Sequence, residues 1–175
     1  MTGDYEVLGT EMLIQKKMNH FLTWLSYTYN HNNYYFSTFE PPSFPNNFEV
    51  MHTVSWAGIY EKNNFKIALG TKWSSGRPKT SPDFSQINLS DPVLVYNKPN
   101  NTNVHIFSQV NISSTYKWET ANGIQYKLGI SILNILNRRN EISEYYRISS
   151  LTNSIEEVDT FSLQRTPNMS FRVSF

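Results

Sequence analysis

The chain has no cysteine among its 175 residues. That excludes a disulfide framework and any thiolate metal site, and it leaves the redox compartment open. No stretch holds 18 apolar residues in a row, so a transmembrane helix is not expected. Charge is scarce, at 17% of residues with a formal net charge of +1. Neutralising a phosphate backbone needs a clustered excess of Lys and Arg, so nucleic acid is not expected as a partner. The opening MTGDYEV lacks the basic and apolar regions of an export signal, so no signal peptide is expected. Helical periodicity is also hard to find. These absences alone would describe a soluble cytosolic protein, but what is present argues against that.

Aromatic residues are abundant, with 11 Tyr, 11 Phe and 4 Trp, and period-two alternation runs through most of the chain. It predicts an all-β fold of seven strands. Strand 5–17 sets Leu8, Thr10, Met12 and Ile14 against Gly9, Glu11, Gln15 and Lys17, with Leu13 out of pattern. Strand 20–31 sets Phe21, Leu25, Tyr27 and Tyr29 against Ser26 and Thr28, with Trp24 on the polar side. Strand 48–60 carries Val54, Trp56 and Tyr60 on its apolar face, and strand 65–75 carries Phe65, Ile67, Leu69, Thr71 and Trp73. Strands 105–118 and 124–136 follow, with Val110, Ile112, Tyr116 and Trp118, then Tyr126, Leu128, Ile130 and Ile132. The last, 158–175, closes on alternating Met169, Phe171, Val173 and Phe175. These strands exceed the usual length of about 5–6 residues and approach the roughly 9–11 that a tilted strand needs to cross a bilayer.

The connections alternate in length. Tight turns at 17–20, 61–64 and 119–123 contrast with long loops at 32–47, 75–104 and 137–157, which is the loop sorting of an outer-membrane barrel. Aromatics cluster at both strand ends of the apolar face, as they do where lipid meets water. Lys66, Lys72, Lys117, Lys127 and Arg172 all fall on the polar face, as a water-filled lumen would require. Alternation by itself also fits a soluble sandwich or lipocalin-like barrel, so a soluble all-β carbohydrate- or ligand-binding module stands as the alternative reading. A small self-standing barrel would need an eighth strand, which the pattern does not supply.

Several stretches together resemble the C-terminal part of a TonB-dependent outer-membrane receptor. Gly9-Thr10-Glu11 through Lys16-Lys17 resembles its G-x-E-x-x-x-x-K-K strand, and Trp24-Leu25-Ser26-Tyr27-Thr28 its W-x-S-Y-T strand. Ser75-Gly76-Arg77-Pro78 resembles the S-G-R-P that closes a strand. Gly129 through Asn140 resembles the penultimate strand, with Leu136 in place of the usual Phe, and Thr166-Pro167-Asn168 through Phe175 resembles the closing strand. The resemblance covers nearly the whole of 1–175. It implies an antiparallel up-and-down meander forming a partial, open transmembrane β-barrel in the outer membrane. The plug domain, signal peptide and earlier strands of the parent receptor would then be absent from this chain. It further implies transport of a scarce nutrient, coupling to the TonB complex through the missing part, and recognition of the closing residues Phe171, Val173 and Phe175 by the barrel assembly machinery.

No catalytic, cofactor or metal site is expected. His20, His31, His52 and His105 lack metal-ligand spacing, and no nucleophile elbow is present. Asn134 and Asn137 are expected to bond irregular backbone at the upper end of their strand. Pro78 is expected to end ladder pairing. In loop 32–47, Tyr34, Tyr35, Phe36, Phe39 and Phe44 are candidates for stacking on a flat or sugar-like ligand, the alternative being that these rings pack on one another.

Overall fold

Three left-handed backbone positions frame the sheet. Asn19, Asn63 and Gly123 have φ of 37°, 53° and 79°, a conformation that asparagine and glycine adopt at little cost. Each lies in a short turn between antiparallel strands, and all three turns fall at the same end. In the computed structural model, which describes residues 2–86, 93–152 and 154–175, twelve strands follow in order. They are β1 (Asp4–Met18), β2 (Phe21–Tyr35), β3 (Ser43–Pro45), β4 (His52–Lys62), β5 (Phe65–Ser74), β6 (Pro78–Lys79), β7 (Thr102–Asn103), β8 (Phe107–Glu119), β9 (Gln125–Leu133), β10 (Glu141–Ile148), β11 (Ile155–Phe161) and β12 (Thr166–Ser174). The only helical turn among the described residues is a 3-10 turn at Phe84–Gln86.

The fold is all-β, built on an open antiparallel meander in the order β1-β2-β4-β5-β8-β9-β12. β1 and β12 are its edges and do not pair with each other, so the sheet is not closed into a barrel. β3 is an eighth strand, but it pairs only with Asn33–Tyr35 at the upper end of β2 and closes nothing. Register joins the two faces seen in the sequence into continuous surfaces. On one face Ile14, Leu25, Trp56, Thr71 and Val110 form a row across five strands. Phe65, Tyr116, Leu128 and Phe171 form another near the short turns. On the other face Ser26, Ser55, Lys72 and Gln109 lie in line. A slip of one residue in any pairing would exchange these surfaces. Lys16 and Lys62 are exceptions on the apolar face, both close to the short turns.

The apolar face has nothing packed on it among the described residues. Extensive contacts between elements occur only between hydrogen-bonded neighbours. Among the described residues Phe44 is the one buried large hydrophobic side chain, while Leu8, Ile14, Leu69, Trp73, Ile130, Met169 and Phe171 are exposed. Leaving a Leu, Ile or Phe side chain uncovered in water forgoes roughly 1.5–3 kcal/mol each, so a surface of this extent calls for a covering. Trp56, Trp73 and Trp118 do not gather in a dry centre: they occupy separate rows of one face. At its short-turn end the rings form a ladder, with Tyr116 on Trp118 (5.9 Å), Trp118 on Tyr126 (5.3 Å) and Tyr126 on Phe171 (6.0 Å). At the other end Tyr27 and Tyr29 contact His52 on the same face.

Two expectations are corrected. The segment 158–175 is not one strand: β11 ends at Phe161 and β12 begins at Thr166. The stretch 137–157 is not simply a loop either, because β10 and β11 form a separate hairpin. The cause lies at the top of β9. Asn134 is fully buried, with φ 50°. Its Nδ2 donates to the carbonyls of Arg138 and Leu163 at 2.8 and 3.1 Å, and its Oδ1 accepts from Arg138 N. Asn137 Oδ1 accepts from Arg165 N at 2.9 Å. These side chains hold the backbone where the chain leaves the hairpin and enters the main sheet. The main ladder ends at Ser74, before Pro78, which instead pairs with Asn103 in the two-stranded β6–β7 arm. Pro92, in the same long loop, lies outside the described residues.

Candidate functional site

The long-loop end of the sheet and the polar face below it carry the features that could meet a ligand. β2 and β1 extend further than the alternation suggests, because Tyr35 pairs with Asp4 and Tyr34 with Tyr5. Tyr34 and Tyr35 are therefore strand residues rather than loop residues. The chain then turns through Phe36 and Phe39 and returns as β3, which sets Phe44 opposite Tyr34.

The five aromatic candidates are not equivalent, and Phe39 both packs in the cluster and stays open. Phe44 is 9% exposed and sits at the centre of the cluster, with ring centroids 6.0 Å from Tyr34, 6.0 Å from Phe36 and 5.8 Å from Phe39. Phe36 and Phe39 meet edge to face at 5.4 Å. Tyr34, Phe36, Phe39 and Phe44 thus form a small core of their own, worth roughly 0.5–1.5 kcal/mol per ring pair beyond area burial. Tyr35 and Phe39, 48% and 39% exposed, keep ring surface free for a ligand.

A buried carboxylate fixes this loop. Glu49 Oε1 accepts from Asn32 N at 2.9 Å and lies 3.0 Å from His31 Nδ1. Asn100, left-handed at φ 54°, donates through Nδ2 to the carbonyl of Pro45 at 2.6 Å and ties the two long loops together. Gly76 has no room for a side chain, since a Cβ there would overlap the Val104 carbonyl. These contacts make the long-loop end a connected platform.

Below the platform the polar face bears Trp24 beside Ala57, with Gly70 next along the same row. Space above Gly70 is open, because only the Trp56 carbonyl comes within reach of a Cβ there, at 4.0 Å. Nearer the short turns, Lys117, Lys127 and Arg172 stand directly opposite one another across three strands. They line a cleft of about 430 Å³. Like charges placed opposite each other destabilise a sheet by a few tenths to about 1 kcal/mol per pair, and no acidic side chain among the described residues pairs with these three. The sequence placed each cation on the polar face. That they share one row follows from the register of the 120–124 turn, which sets Lys117 opposite Lys127, and of the β9–β12 pairing, which adds Arg172; the alternation alone fixes neither.

The β10–β11 hairpin was missed by sequence reasoning. Its signal was present in the facing stretches EISEYYRI and IEEVDTF, which both favour strand, but it was hidden by proximity to the long final alternation. On it, desolvation raises the Tyr146 pKa above 10.0, with the negative charges of Glu157, Asp159 and Glu141 acting the same way. Glu156 is held below its usual value by a hydrogen bond from Ser149 and by Arg147, whose Nη2 lies 3.0 Å away.

Of the closing residues Phe171, Val173 and Phe175, the first two lie on the apolar face of β12, opposite Leu128 and Tyr126. Phe175 follows the strand and is fully exposed. Comparison of the chain with protein-family models, with curated proteins and with solved structures found no match.

Proposed function

We propose that this chain is β-barrel wall of a TonB-dependent outer-membrane receptor that takes up a scarce nutrient, with its apolar face against lipid and its polar face toward a water-filled lumen. One observation carries the reading: a single-layered antiparallel sheet whose whole apolar face lies uncovered. Acyl chains are the covering that such a face needs, and the strands of the meander, 9–15 residues long, reach the roughly 9–11 that a tilted strand needs to cross a bilayer. Support also comes from the ring ladder Tyr116-Trp118-Tyr126-Phe171 at one height and the Tyr27-Tyr29-His52 group at the other, since amphipathic rings settle at headgroup level. The placement of the short turns at one end agrees with a periplasmic side there. An open sheet in hydrocarbon costs several kcal/mol for each unpaired backbone group at its edges. On this reading β1 and β12 pair with further strands of the parent receptor, and its plug domain and contact with the TonB complex lie outside this chain. Phe171, Val173 and Phe175 then present the closing strand to the barrel assembly machinery.

The platform of Tyr35 and Phe39 above, and Trp24 with the three cations below, would line the route of the nutrient. The reading is tested by fractionating cells that produce the protein. It should be recovered with the outer membrane and resist carbonate extraction, and loss of its gene should abolish TonB-dependent growth on one scarce nutrient. A detergent-free, monomeric and cooperatively folding product would overturn the reading in favour of a soluble all-β binding module. The DNA upstream of Met1 supplies a second test, because a plug-coding stretch there is expected.

A further inference from the structure

We infer that the β10–β11 hairpin holds a divalent cation of the calcium type, bound by Glu141, Glu144 and Asp159. One carboxylate oxygen from each of these residues falls within 4.8 Å of the others. That is a span which metal–oxygen distances of roughly 2.3–2.6 Å can bridge. Sequence spacing conceals the group. Residues at i and i+3 of a regular strand point to opposite faces, so Glu141 and Glu144 should diverge. A β-bulge between Glu141 and Ser143 inserts Ile142 and reverses that: Glu141 pairs with Phe161 and Glu144 with Asp159. Both glutamates therefore lie on the face that bears Asp159. A bulge that re-aims a side chain is a common device beside functional sites.

A cluster of acids alone would mean little, but two of these are buried and incompletely satisfied. The side chain of Glu144 is 1% exposed and that of Glu141 6%. In each, Oε2 is engaged, by the Lys79 ammonium in the first and by His105 Nδ1 at 2.7 Å in the second. In each, Oε1 is buried with no hydrogen-bond partner. The Ser162 hydroxyl, just past the end of β11, is buried and unpartnered as well. A buried anionic oxygen without a donor carries a full desolvation penalty, and a bound cation relieves it for both carboxylates at once. Every free ligand is oxygen and none is thiolate. That selects a hard cation, and the irregular arrangement of three carboxylates suits calcium better than the strict octahedron of magnesium. Asp159 is exposed and Glu144 borders a cleft of about 360 Å³, which gives the ion a route in from solvent. The His105–Glu141 contact supplies the outer support that ligating carboxylates usually have.

The test uses the full chain in detergent micelles, with terbium(III) as a luminescent probe of calcium sites that Tyr145 and Tyr146 can sensitise. One saturable terbium per chain is expected, displaced by calcium. Affinity should fall at least tenfold in Glu141→Gln, in Glu144→Gln and in the exposed Asp159→Asn, the last of which leaves the buried contacts intact and reports on binding separately from folding. Calcium should also slow amide exchange in the hairpin of the unaltered protein. Luminescence no stronger than in the Glu141→Gln/Glu144→Gln double variant, or several weak sites indifferent to all three substitutions, would overturn the assignment. The membrane reading of the main sheet does not depend on the outcome, since the hairpin is a separate two-stranded unit.

Discussion

Trp118 stacks on Tyr126 with ring centroids 5.3 Å apart and planes 11° from parallel. The two residues are cross-strand partners beside the last short turn, on the face that nothing covers. Trp24 lies on the opposite face. The pair of surfaces can therefore be read by fluorescence. In lipid vesicles, variants retaining only Trp56 should be quenched by brominated acyl chains, and those retaining only Trp118 by bromines set near the headgroup. Variants retaining only Trp24 should instead respond to aqueous acrylamide. Equal aqueous quenching of Trp24 and Trp56 would count against the proposed orientation.

Charge substitutions should behave oppositely on adjacent residues of β5. Leu69 faces the apolar side between Gly58 and Ile112, and Ala68 the polar side between Ile59 and Ser113. Leu69→Lys is expected to cost about 2–4 kcal/mol of membrane-inserted stability, the penalty for a lysine near the bilayer midplane. Ala68→Lys should be nearly neutral. Urea midpoints of the two variants in the same vesicles make the comparison.

Asn134 is expected to be the least replaceable residue at the top of the sheet. Asn134→Ala removes the acceptor for Arg138 N and the donors to Arg138 O and Leu163 O, and it places alanine at φ 50°. A loss of about 2–4 kcal/mol follows from leaving these buried groups unmet. The exposed Asn168→Ala should cost less than about 0.5 kcal/mol. Denaturant unfolding would report both.

Glu49→Ala should loosen the loop that carries the aromatic cluster. It strands the Asn32 amide and the His31 ring, a cost of about 1–3 kcal/mol. Limited proteolysis should then cut within 36–51 several-fold faster. Glu49→Gln keeps an oxygen acceptor and should cut at an intermediate rate.

The hairpin has an acid-sensitive side. The Glu156 carboxyl is held below its ordinary value of 4.5, first by the Ser149 hydrogen bond and then by Arg147. Its contribution is therefore in place above the ordinary carboxylate range and is lost as pH falls through the lowered value. Amide protection of Arg147 and Glu156 should drop in that acid window, and Glu156→Gln should remove the pH dependence.

How much of this was legible in the sequence depends on how local the cause is. β5 was readable because side-chain direction alternates residue by residue, so Phe65 to Trp73 and Lys66 to Ser74 sort themselves without a partner. The break between β11 and β12 was not readable, because Phe161, Leu163, Met169 and Phe171 stay in one phase of the alternation across it. What separates the strands is Asn134 and Asn137, about thirty residues earlier, holding the backbone at Leu163 and Arg165. Tyr34 and Tyr35 were assigned to a loop for a similar reason: their strand exists because β1 supplies Asp4 and Tyr5 as partners. The aromatic ring cluster could be named from composition, but which rings stay open could not. The three acids of the hairpin were invisible, since a bulge at Ile142 is what brings Glu141 round to join Glu144.

The β1–β2 ladder runs on past its greasy portion. From Met18 the apolar face extends as far as Leu8, and Glu6 and Asp4 then take its place, opposite Asn33 and Tyr35. At about 3.4 Å per residue, this leaves a paired extension roughly 13 Å long beyond Leu8, the last aliphatic side chain of that face. On the proposed reading that extension is a stiff mast standing in the outside medium. It would fix the height at which Tyr35 and Phe39 first encounter whatever diffuses toward the cell.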